Sequence, residues 1–246
     1  MYTYNISAIN HINELKLRTF YTLLSVNLTF CVAYIYSLEL FYFLAKPLIN
    51  INITDFEYSL IYTDISEAFF TYLNISIYIS LFLGTLLLIH HFTYFITPGL
   101  FNTEAKFLVK IKNSFYIACL ISIIITYVFV IPFIWHFFIS SDTSNNLIAI
   151  NIHFEGKLNE YVFILVRVFF TIICLFLTPL LLFTATKLNL VSMNSLIKQR
   201  KFAFILLFIL GALISPPDVV SQVLLALPLC ISYELVIFIM LSHKNC

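Results

Sequence analysis

Apolar residues in this chain fall in long unbroken runs. This is neither the alternation of a half-buried strand nor the single stripe of a surface helix. Six runs stand out, at about 20–44, 71–97, 114–139, 161–186, 202–215 and 219–241. A helix needs roughly 20 apolar residues to cross the hydrocarbon core of a bilayer. The run at 202–215 is shorter, so it is expected to thin the bilayer locally or pack away from lipid. The last run is long enough, but Glu234 interrupts it. The pattern predicts an all-α polytopic membrane protein with six spans in a single membrane domain over 1–246.

The polar stretches add topology. Residues 45–70 and 140–160 are rich in Asn, Asp, Thr and Ser, with interspersed Ile and Phe that predict short elements lying at the interface. Segments of this size cannot bury a core of their own. Ten of the thirteen Lys and Arg fall on one side of the predicted membrane: Lys16, Arg18, Lys106, Lys110, Lys112, Lys187, Lys198, Arg200, Lys201 and Lys244. The positive-inside rule puts both termini on that side, the cis (matrix or cytoplasmic) side. The opposite loops are acidic, with Asp55, Glu57, Asp64, Glu67, Asp142, Glu155 and Glu160.

Composition agrees with the pattern. Hydrophobic residues make up 61% of the chain and charged residues 10%, against roughly 25% charged in a soluble domain. A net charge of +1 gives no reason to expect nucleic acid. The 27 Phe and 15 Tyr against four Gly, with abundant Ile and Asn, point to an AT-rich coding genome, as in many organelles. The first residues read as neither an Arg-rich presequence nor a cleavable signal, so in an organelle the chain is expected to be made in place. The five cysteines form no CxxC and read as small apolar residues.

Candidate chemistry is sparse. Pro98 and Gly99 end the second run, and Glu104 follows on a short cis loop near the headgroups. There it reads as a solvated carboxylate paired with Lys106 or Lys110. Pro216 and Pro217 force a tight hairpin between the last two runs, and Asp218 and Ser221 are placed to cap the final helix. Gln222, one turn in, should face protein, because an unpaired amide in lipid is costly. Glu234 is an intramembrane carboxylate and a functional candidate on that ground. Pro47 joins Pro98, Gly99, Pro216 and Pro217 as a structural position. No metal-ligand cluster, nucleophile–base set or phosphate-binding loop is visible, so no cofactor, metal or catalytic residue is expected. A redox or proton-pumping subunit of a respiratory complex would need more than His90, His91 and His136. A secondary transporter would show duplicated halves, and none are seen.

Four stretches resemble the TatC family, the signal-peptide receptor subunit of the twin-arginine protein translocase. They are His11-Ile-Asn-Glu14-Leu-Lys-Leu-Arg18, Tyr62-Thr-Asp64-Ile-Ser-Glu67-Ala-Phe69-Phe70, Phe95-Ile-Thr-Pro98-Gly99-Leu100-Phe-Asn-Thr-Glu104, and Ser215-Pro216-Pro217-Asp218-Val-Val-Ser221-Gln222 continuing to Pro228 and Tyr233-Glu234. The resemblance implies a concave six-span bundle and no enzymatic activity. It implies that Glu14, Phe95 and Glu104 bind the twin-arginine signal of a folded precursor, which crosses the membrane at the expense of the proton-motive force. It further implies that Asp218, Gln222 and Glu234 dock single-span TatA- or TatB-like partners, and that the chain assembles with copies of itself. With the organellar composition, the mitochondrial inner membrane is favoured over a plastid thylakoid or bacterial plasma membrane. Two departures stand out. Lys16 replaces an arginine and loses the planar fork, and Leu177 stands where many relatives carry Glu or Gln.

A cysteine replacing Glu104 should react with an impermeant thiol reagent from the side that labels the lysine-rich loops. Labelling from the opposite side would overturn the topology.

Overall fold

The computed structural model describes residues 2–49, 60–136, 156–188, 191–214 and 219–244. Its elements are α1 (Tyr2–Ile35), α2 (Ser37–Ile49), β1 (Leu60–Ile61), α3 (Glu67–Ile96), a 3₁₀ turn (Thr97–Gly99), α4 (Asn102–Ile125), a π-helical turn (Thr126–Val130) leading into α5 (131–136), β2 (Gly156–Lys157), α6 (Leu158–Lys187), α7 (Met193–Lys198), α8 (Arg200–Ile214) and α9 (Val219–Lys244).

Three helical stretches are long and apolar enough to cross a membrane unaided: Glu67–Gly99, Asn102–His136 and Leu158–Lys187. They correspond to the second, third and fourth predicted runs. The first run differs from a straight span. His11–Ile35 and Ser37–Leu48 meet at 73°, although the hydrogen bonds from Tyr36 N–H to the Val32 carbonyl and from Leu40 N–H to the Tyr36 carbonyl continue across the break. Neither Pro nor Gly stands at the bend. Pro47 sits buried inside α2, ten positions past its first residue Ser37. At 15 residues α8 spans about 22 Å, short of the roughly 30 Å core, as its sequence predicts. In α9 the described apolar segment runs over Ala226–Ser242, with Glu234 inside it.

The contacts divide the chain into two compact units. In the first (Met1–Asn113 with Val128–Ile164), α1 packs along α3 through small and hydroxylated residues. Thr22 and Ala33 of α1 are buried, as are Thr71, Ile75, Ser76, Ser80 and Gly84 of α3. Small residues let two backbones approach where lipid supplies no hydrophobic drive. The hydroxyls stay satisfied by bonding to their own helix. Thr22 donates to the Thr19 carbonyl (2.7 Å), Thr71 to Ala68 (2.8 Å), Ser76 to Tyr72 (2.8 Å) and Ser80 to Ile77 (2.9 Å). At the opposite end from Lys16 and Arg18, β1 and β2 form a two-residue parallel ladder. Glu67 ties the same segments, accepting from Thr63 N–H (2.8 Å) and Asn159 N–H (3.2 Å). Tyr161 anchors the start of α6, stacking on Trp135 at 4.9 Å and donating to the Leu44 carbonyl at 2.9 Å.

In the second unit (Ser114–Tyr127 with Leu165–Cys246), α8 and α9 form a hairpin whose core holds Leu207, Leu229, Tyr233 and Ile237. The Tyr233 hydroxyl donates to the Leu196 carbonyl (2.9 Å) and so fastens the short α7 onto α9. Outward, both units present large apolar side chains, among them Leu23, Ile35, Leu88, Phe92, Phe202 and Phe238. Such a surface suits hydrocarbon, since water-soluble monomers rarely expose large contiguous apolar patches.

A Cβ added at Gly84 would collide with Val26 Cγ2, a methyl held stiffly on its helix. Gly84→Ala should therefore destabilise the detergent-solubilised protein by about 1–3 kcal/mol, read as a lower melting temperature. Val26→Ala in the same chain should recover most of the loss, and its failure to do so would remove this contact as the cause.

Candidate functional site

At the lysine-rich end of the first unit, helix α1 begins well before the first apolar run. His11, Glu14 and Arg18 therefore lie on its helical surface and not in a leading segment. Their spacing of three and then four brings them onto one face. Arg18 Nη2 and Nε both donate to Glu14 Oε1, at 2.6 and 3.0 Å. The Arg18 guanidinium also lies 5.8 Å from the centroid of the Tyr94 ring, near the end of α3. His11 meets the neighbouring Phe95 edge-on at 6.5 Å. Glu14 and Phe95, two predicted site residues, are thus brought to one corner. Both already carry an internal partner.

Helix α3 stops at Ile96 because Pro98 brings no N–H to its ladder. The chain makes one 3₁₀ turn and becomes extended at Leu100, whose N–H donates to the Thr97 carbonyl (3.2 Å). Gly99 is not what the turn requires. Its backbone avoids the left-handed region, and a Cβ there would meet nothing within 4 Å. Glu104 does not lie in a loop, as its sequence context predicts, but in the first turn of α4. Its Oε2 accepts the Phe101 N–H at 3.3 Å, the backward half of a capping box. The residue is exposed. Among the described residues no Lys or Arg pairs with it, so the alternative of an ion pair to Lys106 or Lys110 is not realised. No described hydrogen bond or ion pair joins Glu104 to Glu14 or Phe95.

In the second unit, Gln222 faces protein as its sequence position demands. Its Nε2 donates to the Phe208 carbonyl at 3.2 Å and so bridges α9 to α8. Glu234 is not isolated in lipid, since Arg200 Nη2 at the start of α8 stands 3.4 Å from its Oε2. Pro216, Pro217 and Asp218 lie outside the described residues. In α6, beside Leu177, the Thr178 hydroxyl donates to the Cys174 carbonyl at 2.7 Å, a bond within its own helix. Among the described residues, no three His, Cys, Asp or Glu converge as a metal site would require.

Three of these contacts are not among the sequence expectations. The Glu14–Arg18 pair has a signal, the separation of four on a helix. Tyr94 has none, being one of 15 tyrosines. Arg200 and Glu234 are far apart in sequence, and only the hairpin joins them.

The sequence matches the family model described as Sec-independent protein translocase protein (TatC) over residues 10–228. Among curated relatives, the uncharacterized tatC-like protein ymf16 of Reclinomonas americana is 31% identical, covering 96% of this chain and 87% of that protein. The Sec-independent protein translocase protein TatC of Desulforapulum autotrophicum is 34% identical over 92% of this chain and 80% of its own. That of Rickettsia prowazekii is 29% identical over 93% and 90%. A crystal structure of the twin-arginine translocase receptor TatC superposes with a TM-score of 0.74 at 23% identity, covering 93% of this chain and 96% of that one. With the family match over residues 10–228 and relatives covering more than nine-tenths of its length, the chain belongs to the TatC family of Sec-independent protein translocase proteins.

Proposed function

We propose that this chain is the receptor subunit of a twin-arginine translocase, and that Glu104 with Glu14 binds the arginine pair of a folded precursor's signal peptide. The observation that carries the reading is the state of Glu104. It is an exposed carboxylate at a helix start, with one weak internal donor and no described cationic partner, between the end of one apolar helix and the lysine-flanked start of the next. A carboxylate at a partly desolvated interface binds a guanidinium fork through two parallel hydrogen bonds, which an ammonium cannot match. Phe95, nine residues earlier and half-buried, offers an apolar face to the residues flanking the two arginines.

The second part of the proposal concerns assembly. Gln222 lines a groove of about 550 Å³ on the α8–α9 hairpin with Phe204, Phe208, Ile209 and Ala212. Such an apolar groove with one amide suits a single transmembrane helix carrying a polar side chain, which is what TatA- and TatB-like partners would present. Asp218 and Glu234 flank it in sequence. Six spans with both termini on the lysine-rich side, self-association, transport driven by the proton-motive force and residence in the mitochondrial inner membrane complete the reading. The last rests on the Ile-, Asn-, Phe- and Tyr-rich composition. The chain acts as receptor and scaffold, and makes or breaks no bond itself.

Glu104→Gln should weaken binding of a twin-arginine precursor by about ten- to a hundredfold, the range for a hydrogen-bonded charge, read as loss of site-specific crosslinking. A twin-lysine precursor should crosslink poorly even to the unmutated chain. Undiminished crosslinking in Glu104→Gln would remove Glu104 from the site. Gln222→Leu should reduce crosslinks from α9 to a single-span partner while leaving precursor crosslinks intact. Unchanged partner crosslinks would leave Gln222 only its bond to Phe208.

A further inference from the structure

Arg18 is held by two partners, Glu14 and Tyr94, and the proposed function does not use it. Its side chain is 26% exposed, against 41% for Glu14. It gives two hydrogen bonds to a single oxygen, Glu14 Oε1, and its Cζ lies over the Tyr94 ring. Tyr94 is itself 59% exposed, and the His90 ring one turn back lies 5.4 Å from it. A carboxylate on one side and an aromatic face on the other are the two surfaces that recognise a guanidinium group. On Glu14, Oε2 receives no described donor.

We propose that Glu14 and Tyr94 form a composite guanidinium subsite, that Arg18 occupies it in the resting chain, and that one arginine of the incoming signal takes its place. The inference rests on the signal-receptor reading and adds Tyr94 as a binding residue that selects arginine. The second arginine of the signal goes to Glu104. Arg18 is an intramolecular competitor. A group tethered one helical turn from its partner is present at high effective concentration, so the signal binds more weakly than it would to an empty subsite. The same competition recaptures Glu14 when the signal leaves, which keeps recognition reversible. Tyr94 supplies the preference for a planar cation, because a guanidinium stacks on an aromatic face as an ammonium does not. Lys16, two residues before Arg18, is exposed and makes no described side-chain bond, so it does not substitute for Arg18.

The test is a set of affinities for a fluorescent twin-arginine signal peptide, measured on the full chain in nanodiscs. An i, i+4 ion pair together with a cation–π contact corresponds to about fivefold in binding. Arg18→Gln should therefore bind the peptide about fivefold more tightly than the unmutated chain. The gain should vanish when Glu14→Gln or Tyr94→Leu is added, and should survive with Tyr94→Phe, which keeps the ring. Tyr94→Leu alone should narrow the preference for the twin-arginine over the twin-lysine peptide. An unchanged or weaker affinity in Arg18→Gln overturns the subsite, as does a gain that persists with Glu14→Gln, because that gain would reflect only the removal of positive charge. Glu104→Gln with Arg18 intact separates the two levels. If it loses the peptide while Arg18→Gln gains nothing, the receptor reading stands and the composite subsite falls. If the unmutated chain does not bind the peptide at all, both fall together.

Discussion

Inside a bilayer no water is at hand to satisfy a polar group, and most of this structure answers that constraint. Helical backbone closes its own hydrogen bonds, so the chain is almost wholly helical where it is described. Buried hydroxyls turn back onto carbonyls three or four residues earlier, as in Thr22, Thr71, Ser76 and Ser80, and cost the helix interface no unpaired atom. Attraction between helices then comes from close packing, which is why α1 and α3 meet where Gly84 leaves room for Val26. The charge inside the last apolar run obeys the same rule, since Glu234 is met by Arg200.

The constraint pushes chemistry to the helix ends. In the first unit, one end carries Glu67 with the β1–β2 ladder, a carboxylate fully used in tying neighbouring segments together. The other end carries Glu14 and Glu104, whose oxygens are only partly engaged. The carboxylates at the two ends thus differ in how fully they are engaged. Glu67 receives donors on both oxygens, from Thr63 and Asn159, whereas Glu14 Oε2 receives no described donor and Glu104 receives only the Phe101 N–H at 3.3 Å. Recognition of a cationic signal needs the second kind.

Much of this was legible in the chain itself. Runs too long and too apolar for a soluble fold give the class and most of the helices, and the short α8 appears as a short run. The order of the Glu14, Glu67, Glu104 and Gln222 motifs gives the family, and the expense of an unpaired amide places Gln222 against protein before any coordinates are seen. Boundaries were less legible. Glu104 reads as a loop residue because Pro98 and Gly99 advertise a break, yet the break is a single turn and α4 restarts three residues later. Gly99 looks necessary beside a proline, but only the backbone angle shows that another residue would fit.

By itself, then, the sequence determined the solvent, the helical class, the charge asymmetry and the family, because each follows from which residues stand next to one another along the chain. Only the tertiary structure decided who partners whom. The approach of Arg18 to Tyr94, Glu67 reaching Asn159, and Arg200 meeting Glu234 all depend on how separate segments pack. In a chain with so few charges, a carboxylate is bound or available according to which cation folding brings within about 4 Å, and periodicity and composition carry no record of that distance.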